Sequence, residues 1–163
     1  MAEHDALTVL RPAALVSGTP CLPAMTDDAI AKVRRLEAVS LLHCEQVEFP
    51  TSHLLHGGMY ARTLTMQAGS VLTGALLKVP TTLIVSGDCM VFIGTEVIEL
   101  HGYNVLPGSA GRKQVFVALT DLAMTMQFPT KAKTVAEAER EFTDEYEMLM
   151  SNHQEVTTTI TGE

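Results

Sequence analysis

Six histidines, three cysteines and a set of scattered carboxylates are the side chains of this 163-residue chain that could carry chemistry, and their spacing limits what each could do. His53 and His56 stand three apart in a stretch read as a loop, so one turn could bring two imidazoles to the same side; His101, beside Glu99, is the nearest candidate for a third ligand. A metal site needs three or four donors converging on one point. Nothing in the sequence ties that loop to the segment holding His101, so no metal and no cofactor are expected. His4, His43 and His153 stand outside any motif. Glu96 and Glu99 fall on one predicted strand at a spacing that turns them to opposite faces, which rules them out as an acid–base pair. There is no G-x-S-x-G elbow, no phosphate loop and no G-x-G-x-x-G after a strand. Cys21, Cys44 and Cys89 are an odd number without C-x-x-C spacing, the usage of a reduced, intracellular protein. No catalytic residue is assigned.

The elements that would position any site are organised around Met66–Asp88, where two apolar runs, Ser70–Leu77 and Thr81–Ser86, are punctuated by Gly69, Pro80 and Gly87-Asp88. Turn chemistry at such short intervals belongs to an antiparallel sandwich or barrel. Further strands are predicted at Met59–Met66, Cys89–Ile93, Glu96–Leu100, Tyr103–Leu106, Gln114–Leu119 and Leu122–Phe128. In the first of these, Tyr60, Arg62, Leu64 and Met66 share one face, which places a cation on the side expected to look inward.

Helices flank the strands. Thr26-Asp27-Asp28 offers an N-cap hydroxyl and two first-turn carboxylates, and Ile30, Val33, Leu36, Val39 or Ser40, and His43 recur at helical spacing until about Gln46. Thr134 and Glu137 form a capping box ahead of a stripe of Val135, Ala138, Phe142, Tyr146 and Leu149. That helix is predicted to run to Met150, its acidic face turned to solvent. The expected organisation is an extended arm over 1–25, an amphipathic helix and connector over 26–50, a β domain over 51–130 and a C-terminal helix and tail over 131–163. The arm is too apolar for a free tail and is expected to lie on the domain or on a neighbouring subunit. Thr157–Thr161 is β-prone enough to add to a sheet edge.

Bulk properties narrow the partners. A net charge of −8 and only 11 basic residues argue against nucleic acid, whose backbone is bound by clustered cations. The nearest approaches to a cluster, Arg34-Arg35 and Arg112-Lys113, read as solvated pairs. The absence of Trp, with aromatics at 5%, leaves few platforms for stacking bases. No apolar run reaches the ~18 residues that would span a bilayer, and the opening Met-Ala-Glu-His-Asp is acidic where a secretory leader is basic.

Taken together, Gly58-Met59-Tyr60-Ala61-Arg62, Gln67-Ala68-Gly69-Ser70-Val71-Leu72-Thr73-Gly74, Ile84-Val85-Ser86-Gly87-Asp88, Gly111-Arg112-Lys113-Gln114 and Ala118-Leu119-Thr120-Asp121 resemble the small cupin (RmlC-like jelly roll) proteins of bacteriophages and prophages. The resemblance covers roughly the segment from Gly58 to Asp121. It implies a mainly β, cupin-like jelly-roll sandwich or barrel, here with flanking N-terminal and C-terminal amphipathic helices. Where the pattern places histidines, this chain has Leu77, Thr81, Leu119 and Phe128, and Gln114 takes the place of the histidine in the second cupin motif. The resemblance therefore describes a member that lacks the metal-binding histidines.

In such a barrel Tyr60, Arg62, Lys78, Lys113 and Asp121 could line one polar pocket mouth and bind a ligand; the competing reading makes Arg62 and Asp121 a structural ion pair and leaves the others solvated. The leading functional expectation is a non-catalytic structural or accessory phage-type component, a homo-oligomer, in the cytoplasm of the infected bacterial cell or in the virion with other virion proteins. The alternative is a metal-free module that holds a small anion against Arg62 and Lys78 and interferes with a host signal. A cupin isomerase or dioxygenase is the third. Neither nucleic acid nor membrane is an expected partner.

Overall fold

The structure is a computed structural model that describes residues 21–149, 152 and 156–161. Ten strands and two α-helices are found among these residues: α1 (Asp27–His43), β1 (Thr51–His56), β2 (Met59–Met66), β3 (Val71–Thr73), β4 (Thr81–Ser86), β5 (Cys89–Phe92), β6 (Val97–Leu100), β7 (Tyr103–Gly108), β8 (Val115–Ala118), β9 (Leu122–Pro129), α2 (Val135–Phe142) and β10 (Val156–Ile160). They form a six-stranded sheet in the order β10-β1-β2-β9-β4-β7 and a four-stranded sheet in the order β3-β8-β5-β6. The eight consecutive strands β2 to β9 thus divide as first-eighth-third-sixth and second-seventh-fourth-fifth. That division is a jelly roll, and the fold is a mainly β sandwich with one helix before β1 and another between β9 and β10.

Glycine and polar punctuation sets the strand ends. At Gly87, with φ +129°, a Cβ would run into the backbone of Asp121 and Leu122, so only glycine lets the β4–β5 turn pack against the start of β9. The side chains between the sheets, among them Leu83, Val85, Val91, Leu106, Phe116 and Met124, form the principal core. A second cluster lies under α2, where Ala138 and Phe142 meet Leu55, Tyr60 and Phe128. A third joins the first half of α1 to Val115.

Several expectations are corrected. The stretch holding His53 and His56 is strand β1, paired antiparallel with β2 and parallel with β10, so alternation sends the two imidazoles to opposite faces. The predicted strand Ser70–Leu77 shrinks to Val71–Thr73, because the Leu76 N–H donates to the Glu145 carboxylate instead of to a neighbouring strand. The last helix stops at Phe142: Thr143 is extended, at φ −152° and ψ 149°, and its hydroxyl accepts the Glu145 N–H; a 3-10 turn follows over Tyr146–Met148. Nor is the acidic face simply solvated. Glu139 is buried, Glu141 accepts the Thr130 hydroxyl, and Glu145 is half-buried against Lys113. The apolar stripe of α1 also divides. Ala29, Ile30 and Val33 are buried, whereas Leu36, Val39, Leu41 and Leu42 are exposed.

Of the arm predicted over 1–25, residues 1–20, with His4, lie outside the described residues. Leu22 lies against the domain, its N–H on the Pro107 carbonyl and its side chain buried. His153 also lies outside the described residues. No helix among the described residues is long and apolar enough to cross a membrane.

Candidate functional site

The jelly roll leaves a cavity of about 1120 Å3 between its sheets at one end. Its walls are inward-facing positions of the strands: Leu64 and Met66 from β2, Leu72 from β3, Leu83 from β4, Phe116 from β8, Met124 and Met126 from β9. The C-terminal half of α1, the connector from Cys44 to Pro50 and the segment around Met148 form its rim. Strand alternation explains this lining, since residues two apart on a strand share a face. The same rule brings Arg112 and Gln114, just before β8, onto the wall that Phe116 continues.

Arg112 is 2% exposed and donates to three neutral oxygens. Its Nε reaches Gln114 Oε1 at 3.3 Å, its Nη2 reaches Thr81 Oγ1 at 2.5 Å, and its Nη1 bonds the Ser109 carbonyl. Thr81 pairs with Gly108 across β4 and β7, and the guanidinium lies so close over Gly108 that a Cβ there would overlap it. No carboxylate among the described residues forms an ion pair with Arg112. Burial pulls its pKa down to about 10, which still leaves a full positive charge at neutral pH. Because Gln114 receives the Nε–H, its amide oxygen must be the atom facing Arg112. That leaves Gln114 Nε2 buried without a hydrogen-bond partner among the described residues.

The five predicted site residues are not gathered into one pocket mouth. Arg62 and Asp121 line the cavity, but Tyr60, Lys78 and Lys113 do not. Tyr60 is fully buried under α2, its hydroxyl 2.8 Å from His53 Nδ1; burial first, then the carboxylate of Glu139, raises its pKa to about 12 against the opposing pull of Arg62. Burial together with the nearby Arg62 charge lowers His53 to about 4, so its imidazole is neutral. Arg62 pairs with Glu139 at 3.3 Å. Asp121 instead accepts the Ala68 N–H at 2.8 Å, so the expected Arg62–Asp121 ion pair does not form. Lys78 bonds Asp144 at the surface, 2.7 Å away.

The expectation that Arg112 and Lys113 form a solvated pair is also overturned. Both are buried, on opposite faces. Lys113 points away from the cavity and meets Glu145 at 2.8 Å and Glu37 at 3.3 Å. Burial alone would raise the pKa of Glu145; the hydrogen bonds from Lys113 and from the Leu76 N–H, with Arg34 beyond, hold it below the ordinary carboxylate range. The signal that could have located the site was the alternation Arg112, Gln114, Phe116, which puts two polar side chains on an otherwise apolar inner face.

The histidines weighed as ligands lie apart. His56 bonds the Thr161 hydroxyl, and His101 lies 3.2 Å from Glu99 and 3.6 Å from Asp88. Among the described residues no three His, Cys, Asp or Glu side chains are placed to hold a metal together. Of the positions where the cupin pattern has histidines, Thr81 and Gln114 both bond the Arg112 guanidinium, the Leu77 N–H bonds the Arg112 carbonyl, Leu119 is exposed and Phe128 packs under α2.

No protein-family model matches the chain, and no curated protein matches it. Solved structures that share the architecture include a cupin-superfamily protein from Desulfitobacterium hafniense (14% identity over 57% of this chain and 87% of that one, TM-score 0.46). A conserved protein with a double-stranded β-helix domain from Klebsiella pneumoniae matches at 14% identity, 54% and 78% coverage and TM-score 0.45. KdgF from a Halomonas species matches at 18% identity, 53% and 87% coverage and TM-score 0.44. At these scores the neighbours carry no argument about activity, and the fold stands on the strand order itself.

Proposed function

We propose that this chain is a small-molecule-binding module whose ligand occupies the space between the sheets. The observation that carries the reading is the cavity of about 1120 Å3, walled between the strands mainly by Leu, Met and Phe side chains, with Arg112 and Gln114 on that wall and further polar residues toward the rim. Ligand sites in general have that composition. The anion-binding alternative is kept in modified form: Lys78 is spent on Asp144 outside the cavity, Arg62 is paired with Glu139, and the polar contacts fall instead to Arg112 and Gln114.

Thermal melts against a panel of apolar-bodied small molecules test it. A ligand raises stability by RT ln(1 + [L]/Kd), about 2.7 kcal/mol at a hundred times Kd. Leu72→Trp, which fills the space, should abolish that gain. If no compound in the panel raises the melting temperature, or Leu72→Trp leaves the gain intact, the reading fails.

A second reading, the structural or accessory homo-oligomer of a phage, is supported by the exposed apolar half of α1, where Val39 is 53% and Leu42 79% exposed. Light scattering tests it: an oligomer that Leu42→Glu dissociates supports it, and a monomer at all concentrations counts against it.

A further inference from the structure

We propose that the ligand of the cavity is an organic monocarboxylate, with Arg112 and Gln114 holding its head group and the Leu, Met and Phe walls holding its apolar body; this rests on the small-molecule reading above.

The first support is an imbalance of charge. The other buried or nearly buried cations meet carboxylates, Arg62 on Glu139 and Lys113 on Glu37 and Glu145. Arg112 is as buried as Lys113 and meets only neutral oxygens. A buried charge without a counter-charge is costly, and the fold goes out of its way to keep this one, leaving no side chain at Gly108 where a Cβ would overlap it.

The second support is the orphaned amide. Gln114 is 4% exposed, its oxygen is taken by Arg112, and its Nε2 has no partner. A donor of that kind buried beside a cavity is satisfied by an acceptor that arrives with the ligand. Arg112 Nη1 and Nη2 each make one hydrogen bond and so each keep a second N–H. Guanidinium and amide therefore offer adjacent donors to a planar pair of oxygens, the geometry in which arginine recognises carboxylates.

Charge count then selects among anions. Arg112 is the cation of the cavity wall that no carboxylate among the described residues meets, while Glu37, Glu45, Glu48, Asp121 and Glu145 also line the cavity and disfavour a second negative charge on the ligand. A monoanion is balanced there, and a phosphate monoester with close to two charges is not. Between the strands the wall is Leu64, Met66, Leu72, Leu83, Phe116 and Met124, so the part of the molecule lying there must be apolar.

Titration calorimetry of the full chain with octanoate, octan-1-ol and octylamine tests the inference. Octanoate should bind at least ten-fold more tightly than octan-1-ol, and octylamine more weakly than either. Gln114→Glu places a carboxylate of its own beside Arg112 and should lower octanoate affinity at least ten-fold with no change for octan-1-ol. If that variant fails to fold, Gln114→Leu, which removes only the amide, should show the same selective loss. Equal affinity for octanoate and octan-1-ol, or octanoate binding untouched by both variants, overturns the carboxylate assignment and leaves the cavity reading in place. No binding of any of the three probes overturns both.

Discussion

The wall under α2 and the wall beside Arg112 belong to the same sandwich, yet they are built in opposite ways. Under α2, Tyr60 packs edge-on to Phe128 at 5.5 Å and stacks on Phe142 at 6.1 Å. Its hydroxyl meets His53, and the Arg62 charge beside it is answered by Glu139. Beside Arg112 the space is open, and among the described residues a cation has no counter-ion and an amide nitrogen has no acceptor. Interiors are ordinarily close-packed, with buried polar groups satisfied. The first wall follows that rule and serves stability; the second departs from it, and departures of this kind mark places where a fold serves something other than its own stability.

The contrast can be broken by experiment. Tyr60→Ala should cost the most, about 3–5 kcal/mol in urea unfolding, because Tyr60 is fully buried away from the cavity and its removal empties a filled site; Leu72→Ala, beside space that is already empty, should cost less than half as much. Equal costs would mean that the two walls are packed alike. Glu139→Ala should destabilise by about 3 kcal/mol, since it removes the carboxylate that answers the Arg62 charge in a nearly buried pair.

Acid should act through the closed wall. His53 titrates near 4 when folded and near 6.5 when free, so between those values the unfolded chain binds the extra proton. Stability is then complete above pH 6.5 and falls as the pH drops toward 4, by about 2 kcal/mol on reaching pH 5. His53→Asn should flatten the denaturation free energy across that window. The smallest effect belongs to the open wall. Arg112→Met trades three hydrogen bonds for relief from an unmatched buried charge, and the two should cancel to within about 1 kcal/mol. A loss well beyond that would make Arg112 a structural anchor and remove the difference between the walls.

Much of the jelly roll is legible in the chain because its strands are short and each is bounded by turn residues. Met59–Met66 and Thr81–Ser86 are found at their predicted limits, and Thr26 and Thr134 cap the helices whose starts they mark. What local pattern could not reveal depends on distant partners. Thr51–His56 reads as a loop until β10 and β2 flank it. The helical stripe beyond Phe142 continues in sequence, but Glu145 is drawn to Leu76, Lys113 and Arg34, and the helix ends first. Lys113 and Glu139 look like surface charges because their counter-ions lie 32 and 77 residues away. The site is the least legible part: in sequence Gln114 opens a predicted strand and takes the place of a histidine, and Arg112 is half of a charged dipeptide, and neither position marks a cavity wall.

The parallel pairing of β1 with β10 has a consequence in time. Thr51 waits for Val156 to complete its hydrogen bonds, and at synthesis rates of about 5–20 residues per second the intervening stretch takes on the order of 5–20 s to appear. For that interval the nascent sheet presents one side of β1 to whatever else the ribosome's surroundings contain. The threonines of β10, exposed along nearly its whole length, suit a segment that arrives late, stays soluble until it docks, and closes the vulnerable side.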